Sequence, residues 1–356
     1  MDGNRPETKA RTDCLPADRE GVARAANILR SGGLVAFPTE TVYGLGASAL
    51  NVQAVRQIFI AKGRPADNPL IVHVRDPRDA AQCGEWNALA DRLARVFWPG
   101  PLTIIVRRLG VIPPEVSAGL DTVALRAPSH PAAQALLEAC GLPIAAPSAN
   151  RSGKPSPTTA RHALDDLEGR VPLVLDGGPC AVGLESTVAD VRGAFPLVLR
   201  PGAVTPEMLA MAAGECRVAD SVMRALREGE DAPSPGMRHT HYAPKAKLTL
   251  VRGDPDAVRA RIRQEAQGRK GVWVLAPENR LEGYDNFEIR SLGRDAQEAA
   301  QRLFYLLRQA DRENVERIYC ETLPQEGLGL AVMNRLARAA GFEFLDAGES
   351  GGREER

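Results

Sequence analysis

Short apolar segments, interleaved irregularly with helical ones, run through residues 16–214 and constrain the fold more than any other feature of the chain. Their length and their turn-rich boundaries indicate strands. The order of strands and helices lacks the regular alternation of a doubly wound sheet, so we predict an α/β fold with a twisted, mixed, open sheet. The predicted strands are 34–37, 70–74, 102–106, 122–126, 143–146, 173–176, 186–190 and 197–200, with helices over 18–30, 51–62 and 131–140.

A simpler pattern begins near residue 247 and predicts a second, smaller α/β domain over 247–346. Because its strands and helices alternate regularly, we expect a Rossmann-like, largely parallel sheet. The predicted strands are 248–251, 271–275, 287–290 and 317–320, and the predicted helices lie near 254–267, 295–311 and 329–340.

The segments outside these two domains lack periodic patterns. We expect residues 1–15 and 347–356 to be disordered, and we interpret 215–246 as a linker. Within it, 231–245 is rich in Pro and also holds His and Tyr side chains. Two interpretations stay open for this stretch: a spacer, or a lid that closes over a ligand site.

Composition excludes several classes of protein. Lys+Arg and Asp+Glu both number 45, and aromatic residues make up only 4% of the chain. We therefore expect no strong direct binding of nucleic acid. The six cysteines form no CxxC pair, so neither a metal site nor a disulfide framework is predicted. Without a signal peptide or an apolar run of roughly 20 residues, we expect a cytoplasmic protein that does not enter a membrane.

Two cations, Lys62 and Arg64, follow a predicted helix directly. One interpretation is solvated charge at a helix C-terminus; the other is that Pro65 fixes a turn that aims both cations inward. Ser148 and Asn150 form a small polar cluster after a later apolar run. Cations together with hydroxyl and amide groups suit a triphosphate, which needs counter-charge and directed donors.

Further candidates lie in or beside predicted strands. His73 is either a core histidine or a partner for a substrate carboxylate or hydroxyl. For the loop 39–46, which contains Thr41, two interpretations are open: its polar residues stabilise a local turn, or they line a site at the end of a strand. Arg126 and Thr122 share one face of a strand, so Arg126 is either a surface residue or a carboxylate clamp. The other polar candidates, each weak alone, are Ser156, Ser186 and Arg200.

Familiar catalytic motifs are missing from the sequence. There is no Walker A motif, no GxGxxG after a strand, no HExxH and no nucleophile elbow. An enzyme with this sequence is therefore expected to work by positioning and electrostatics, without a covalent protein intermediate.

Seven segments occur in a fixed order between residues 37 and 203: PTETVYGLG, KGRPADNPLIVHV, WPGPLT, LRAPSHP, APSANRSGKPSPT, ESTVAD and LRPGA. Together they closely resemble the threonylcarbamoyl-AMP synthase family, which has a YrdC-like fold. PGMRHTHYAP and the α/β domain after it resemble the long, two-domain form. The resemblance covers nearly the whole chain after residue 15.

The resemblance implies that L-threonine, bicarbonate and ATP are joined into threonylcarbamoyl-adenylate with release of pyrophosphate. A downstream tRNA threonylcarbamoyltransferase complex would then modify an adenosine in tRNAs that read ANN codons. ATP is a substrate here, and we expect Mg²⁺ to be held mainly by its phosphates rather than by protein ligands.

The resemblance also implies residue roles, each carried over from a matching motif position. The implied catalytic set is Lys62, Arg64, Ser148 and Asn150. The implied threonine-binding set is Thr41, His73, Arg126, Ala146 and Ser186. The implied ATP-binding set is Arg64, Asn68, Thr122, Ser148, Ser156, Arg200 and Tyr242.

Two rival functions stay open. An RNA-binding module could use a basic concavity on the same fold, although the zero net charge counts against it. A carbamoyltransferase-type maturation factor would use similar adenylate chemistry, but its usual acylphosphatase and zinc-finger segments are not seen in this sequence.

Overall fold

The computed structural model describes residues 11–224, 242–284 and 287–348, which form two α/β domains, each built on one sheet. The predicted fold class is confirmed. Within the described residues, the strands of the first sheet are β1 (Asp13–Pro16), β2 (Val35–Phe37), β3 (Gly44–Ser48), β4 (Ile71–His73), β5 (Leu102–Arg107), β6 (Thr122–Arg126), β7 (Ile144–Ala146), β8 (Leu173–Asp176), β9 (Thr187–Asp190), β10 (Leu197–Arg200) and β11 (Arg217–Val218).

Helices cover both faces of this sheet. They are α1 (Arg19–Arg30), α2 (Val52–Lys62), α3 (Pro77–Ala81), α4 (Ala88–Phe97), α5 (Pro131–Cys140), α6 (Ala160–Leu167) and α7 (Pro206–Ala213). Apolar side chains of α1 and α5 pack on one face, and those of α2, α4 and α6 pack on the other. Because apolar residues face both ways along the central strands, the sheet is buried between two helical layers.

The first sheet is mixed, with strand order β1-β8-β2-β3-β7-β4-β6-β5-β9-β10-β11. At its centre, β4 pairs with β6 in parallel and with β7 in antiparallel register. His73 lies directly beside Arg126 in the first pair, and Ile71 lies beside Ala146 in the second. This arrangement brings three residues predicted for one ligand onto adjacent strands.

The second domain has a parallel sheet in the order β14-β13-β15-β12-β16. Every recorded strand pair in it is parallel, which confirms the predicted sheet type. Its elements are β12 (Lys247–Arg252), α8 (Pro255–Ala266), β13 (Val272–Ala276), β14 (Glu288–Ser291), α9 (Ala296–Arg312), β15 (Arg317–Glu321), α10 (Leu328–Ala339) and β16 (Phe344–Asp346).

Two of the predicted domain limits need correction. Disorder predicted through residue 15 is wrong for residues 11–15, because β1 pairs in parallel with β8 from Asp13 onward. The first sheet also continues past Gly214 through β11, which pairs with β10. Both additions are edge strands held by backbone hydrogen bonds, and such short pairings leave little hydrophobic pattern in a sequence.

Most of the predicted linker lies outside the described residues, as do the first ten residues and residues 349–356. Both described flanks of residues 225–241 contact the second domain. Asn334 of α10 donates to the carbonyl of Val222, and the ring of Tyr242 packs 5.2 Å from that of Phe304. In the part of the chain that the structure describes, no helix is long and apolar enough to cross a membrane.

Apolar and ionic contacts join the two domains. Val42 and Leu184 of the first domain belong to the apolar cluster of the second. Arg308 of α9 donates to Asp166 of α6 across 2.8 Å, and both side chains are buried. A buried ion pair at a boundary fixes the geometry of its neighbours, because removing one partner leaves an uncompensated charge.

Candidate active site

One cleft in the first domain gathers most of the residues predicted for a site. It encloses about 720 Å³ that protein atoms do not fill, part of it open to solvent. Among the described residues, eleven of the predicted ones line it: Thr41, Lys62, Arg64, His73, Arg126, Ala146, Ser148, Asn150, Ser186, Arg200 and Tyr242.

Three predicted residues do not line the cleft. Thr122 begins β6 whereas Arg126 ends it, and four residues of strand separate them by roughly 13 Å. Ser156 does not line the cleft itself, but its hydroxyl contacts the carboxylate of Glu185, which does. Asn68 is buried, and its backbone carbonyl accepts from Nη2 of Arg64 at 3.1 Å.

The C-terminus of α2 positions Lys62 and Arg64. Asn51 caps the start of the helix through the amide of Ala54. At its end Gly63 adopts φ +61°, and the amides of Gly63 and Arg64 donate back to Ile60 and Phe59. This left-handed turn suits glycine. It directs Arg64 away from the helix path, so both cations reach the cleft.

Lys62 is only 2% exposed, which rules out the solvated-charge interpretation. Its Nζ donates to the carbonyls of Ser148 and Asn150, the latter at 2.5 Å, and lies 3.5 Å from the amide oxygen Oδ1 of Asn150. These three partners are uncharged. Burial, followed by the nearby Arg64, lowers the pKa of Lys62 well below its usual value. An anion entering the cleft would favour the charged ammonium form.

Arg126 ends β6 and is buried, so the surface-arginine interpretation is also wrong. Nη1 donates to the hydroxyl of Thr41 at 2.9 Å, and Nε donates to the carbonyl of Gly100 at 3.3 Å. Nη2 lies 2.7 Å from Oε1 of Glu40, but the geometry is that of a charge contact without a directed hydrogen bond. The guanidinium is therefore fixed in position and keeps a donor group without a directed acceptor among the described residues.

His73 lies in β4 with its ring edge-on to Phe37 at 5.8 Å. Burial, together with the charge of Arg126, lowers the pKa of His73 to about 3. The imidazole is therefore neutral at physiological pH. Its Nδ1 has no hydrogen-bond partner among the described residues. A neutral ring with a free nitrogen can pair with a hydroxyl group without adding charge.

Arg200, at the end of β10, also lines the cleft. Its Nε donates to the carbonyl of Ser186 at 3.0 Å, and Nη2 donates to the hydroxyl of Ser186 at 3.1 Å. Burial lowers the pKa of Arg200 only to about 10, so it remains a cation. Gly202 permits this contact, because a Cβ there would lie 2.4 Å from the amide nitrogen of Thr187.

Sequence reasoning missed one charged wall residue, Glu185, which precedes the predicted Ser186. Burial opposes its ionisation most strongly, but the charges of Arg335 and Arg200 together keep the pKa of Glu185 below its usual value. Its position inside ESTVAD was the only available signal. The other lining residues without a predicted role are Thr39, Val42, Gly44, Ile71, Pro147, Ser152 and Gly153.

Tyr242, the first described residue after residues 225–241, also lines the cleft. It is buried with φ +67°, an uncommon conformation for a residue other than glycine. Its ring lies 5.8 Å from the guanidinium of Arg335. Tertiary contacts hold this backbone conformation, and sites that bind ligands often retain such strained positions.

The cleft thus has two chemically different ends. We call the region around Thr41, His73 and Arg126 the carboxylate end, because it combines a fixed guanidinium with hydroxyl and imidazole groups. We call the region around Arg200 and Tyr242 the nucleotide end, because it combines a cation with an aromatic ring. Lys62 and the loop of Ser148 and Asn150 belong to the same continuous wall. Such a cleft can hold two anionic groups side by side.

Comparison with known proteins gives matches over both domains. A family model described as Telomere recombination matches residues 27–202. A second model, described as Threonylcarbamoyl-AMP synthase, C-terminal domain, matches residues 204–341.

Named relatives match along most of their length. Threonylcarbamoyl-AMP synthase of Bacillus subtilis is 46% identical over 339 residues, which cover 94% of this chain and 97% of the relative. The enzyme of Pyrococcus abyssi is 45% identical over 327 residues, which cover 90% and 94%. A crystal structure of P. abyssi Sua5 complexed with L-threonine has a TM-score of 0.87 at 42% identity, covering 94% of this chain and 99% of that one. The chain belongs to the threonylcarbamoyl-AMP synthase family, in the form that carries the C-terminal domain.

Proposed function

We propose that the chain joins L-threonine, bicarbonate and ATP into threonylcarbamoyl-adenylate and releases pyrophosphate. The observation that carries the proposal is the single cleft, which is lined by the buried cations Lys62, Arg126 and Arg200 and by the half-buried Arg64. A buried cation is costly unless an anion compensates it. A cleft lined by three buried cations and a fourth that is half-buried therefore suits a substrate set that carries a carboxylate and a polyphosphate.

At the carboxylate end, Arg126 would bind the carboxylate of threonine. The carbonyl of Gly100 and the hydroxyl of Thr41 fix Nε and Nη1 of that guanidinium, and Nη2, which makes no directed hydrogen bond within the described residues, would donate to the carboxylate. His73, neutral at working pH, would accept from or donate to the substrate hydroxyl. The threonine amine would then point toward the phosphate-binding part of the cleft.

The reaction itself would need two bonds to form in sequence. The amine nitrogen attacks CO2 and gives up a proton to solvent, or attacks bicarbonate with cleavage of a C–O bond and loss of water, to give a carbamate. A carbamate oxygen then attacks the α-phosphorus of ATP, the bond to the β-phosphate oxygen breaks, and pyrophosphate leaves. Lys62, Arg64 and Arg200 would offset the charge that builds up on the phosphates. Carbamates decompose in water, and the buried walls of the cleft would slow this loss.

ATP would bring Mg²⁺ with it, and Mg²⁺ would neutralise part of the phosphate charge. The carboxylate oxygens of Glu185 already contact Ser156 and Arg335. Within the described residues, no three His, Cys, Asp or Glu side chains cluster as metal ligands. We propose that the metal would be held mainly by phosphates and water.

The product is a mixed anhydride, so a second enzyme must consume it quickly. We propose that a tRNA threonylcarbamoyltransferase complex takes it to modify an adenosine in tRNAs that read ANN codons. This step rests on the family membership and on the chemistry of the product.

The deciding assay measures pyrophosphate release from ATP with L-threonine and bicarbonate omitted in turn. We expect release only when both are present, together with a product of the mass of threonylcarbamoyl-adenylate. Release without threonine would favour the carbamoyltransferase-type alternative. No release from ATP, with tight binding to RNA, would favour the RNA-binding alternative.

A further inference from the structure

An acidic residue in the wall of an anion-binding cleft requires an explanation. Glu185 is 6% exposed and lies next to Ser186, whose carbonyl and hydroxyl both hold Arg200. A carboxylate here would repel phosphates unless its charge were balanced from behind. The structure supplies that balance from the other domain.

The balancing cation is Arg335 of α10, which is 0% exposed. Its Nε donates to Oε2 of Glu185 at 2.7 Å, and its Nη2 donates to the backbone carbonyl of Glu185 at 3.2 Å. The neighbouring Asn334 accepts from Nη1 at 2.7 Å. One guanidinium therefore fixes both the side chain and the backbone of Glu185, and all three of its nitrogens donate.

The fixed carboxylate acts in turn on two parts of the nucleotide end. Its other oxygen accepts from the hydroxyl of Ser156, a residue that does not itself line the cleft. Its backbone leads into Ser186, which orients Arg200. Arg335 also contacts the aromatic residue of the nucleotide end, because the ring of Tyr242 lies 5.8 Å from its guanidinium.

The helix that carries Arg335 also holds the chain just before the linker. Asn334 donates to the carbonyl of Val222, and Arg338 donates to the carbonyl of Ser221 at 3.4 Å. Helix α10 thus contacts residue 185, residues 221–222 and residue 242. Through these contacts, the second domain packs against residues that line the nucleotide end of the cleft or lie next to it.

We propose that Arg335 is a positioning residue for ATP, acting through Glu185, and that supplying it is a task of the C-terminal domain. This inference rests on the proposed function. Within the described parts of the chain, by contrast, Arg126 makes its polar contacts with the first domain. Loss of Arg335 should therefore weaken ATP binding more than threonine binding, for which Arg126 is the proposed main contact.

The test compares Arg335→Lys and Glu185→Gln with the wild type in the full-length chain. Lysine keeps the charge but cannot reach three acceptors in the fork geometry of arginine. We expect Arg335→Lys to raise the KM for ATP about tenfold, a change on the order of 1.4 kcal/mol, with the KM for threonine within twofold. In the Glu185→Gln background, Arg335→Lys should add much less, because the two residues act as one unit.

Arg312→Ala is the matched control. Arg312 of α9 pairs with Asp165 at 2.6 Å across the same domain boundary, but both side chains are partly exposed and away from the cleft. The control should leave both KM values within twofold. Thermal unfolding of each variant identifies any that fail to fold, and Glu185→Gln then supplies the second route to the same conclusion.

Calorimetric binding of a non-hydrolysable ATP analogue separates this inference from the proposed function. Lack of threonine-dependent pyrophosphate release by the wild type would sink the function, while analogue affinity still tests Arg335. An Arg335→Lys protein that binds the analogue as the wild type does, or that loses threonine and analogue affinity equally, would overturn the inference.

Discussion

The two ends of the cleft are each backed by a buried glutamate–arginine contact, but the arginines come from different places. At the carboxylate end, Arg126 meets Glu40 within the first domain. At the nucleotide end, Glu185 of the first domain meets Arg335 of the second. The first domain alone thus fixes Arg126, whereas the proposed ATP site draws on residues of both domains.

The cation shared by the two ends should show the largest effect. Replacing Lys62 with alanine removes the ammonium that contacts Ser148 and Asn150. Because Lys62 would stabilise charge in the transition state, turnover should fall on the order of 10²-fold, or about 3 kcal/mol. Steady-state kinetics measures the change. Lys247→Ala, at an exposed site in the second domain, is the control and should retain normal turnover. Near-normal turnover in Lys62→Ala would remove the proposed role.

The next largest effect should fall on threonine alone. Arg126→Met removes the guanidinium at the carboxylate end and should raise the KM for threonine roughly 30-fold, or about 2 kcal/mol. The KM for ATP should change little, which is the reverse of the pattern for Arg335→Lys. Arg107→Met, at an exposed position on the adjacent strand β5, is the control. An unchanged threonine KM in Arg126→Met would contradict the clamp.

Acid stability tests the neutral histidine of the carboxylate end. The folded-state pKa of His73, lowered to about 3, lies below its ordinary value of 6.5. Its contribution to stability is thus fully present above pH 6.5 and is lost as pH falls toward 3. Between pH 7 and 5 the wild type should lose about 2 kcal/mol of unfolding free energy through this residue. Urea unfolding of His73→Gln should show a smaller loss over that range; equal losses would contradict a buried neutral ring.

The smallest effect should come from the exposed ion pair between the domains. Arg312→Ala breaks the contact with Asp165, and an exposed pair contributes roughly 0.5 kcal/mol. Arg308→Met, at the buried pair with Asp166, should cost more, about 2 kcal/mol in unfolding free energy, because the buried carboxylate then keeps only its contact with Lys154. Equal losses in the two variants would show that the domain boundary is not held by its buried contacts.

The elements that carry Arg126 and Lys62 were predicted well because both residues lie in contiguous motifs at the ends of a strand and a helix. The strand containing Arg126 and the helix ending at Lys62 both appear within one residue of their predicted limits. Strand β3 was interpreted as loop, because Gly44 and Gly46 interrupt its apolar pattern. Burial on both faces then overrides weak strand propensity.

The nucleotide end was predicted less completely for a different reason. Arg335 lies in a helix 150 residues from Glu185, in a different domain. A buried arginine among the apolar residues of α10 leaves no periodic signal in one sequence. The family resemblance placed Thr122 in the ATP-binding set, but Thr122 begins the strand that Arg126 ends, and the length of that strand separates the two residues. Contacts between distant segments thus require the folded structure.

The most direct test of the single shared cleft is a crystal structure of the full chain with L-threonine and a non-hydrolysable ATP analogue. We predict the threonine carboxylate at Arg126, the phosphates between Lys62 and Arg200, and the threonine nitrogen on the side of the α-phosphorus. Two ligands in separate pockets, or phosphates turned away from Lys62 and Arg200, would contradict the account.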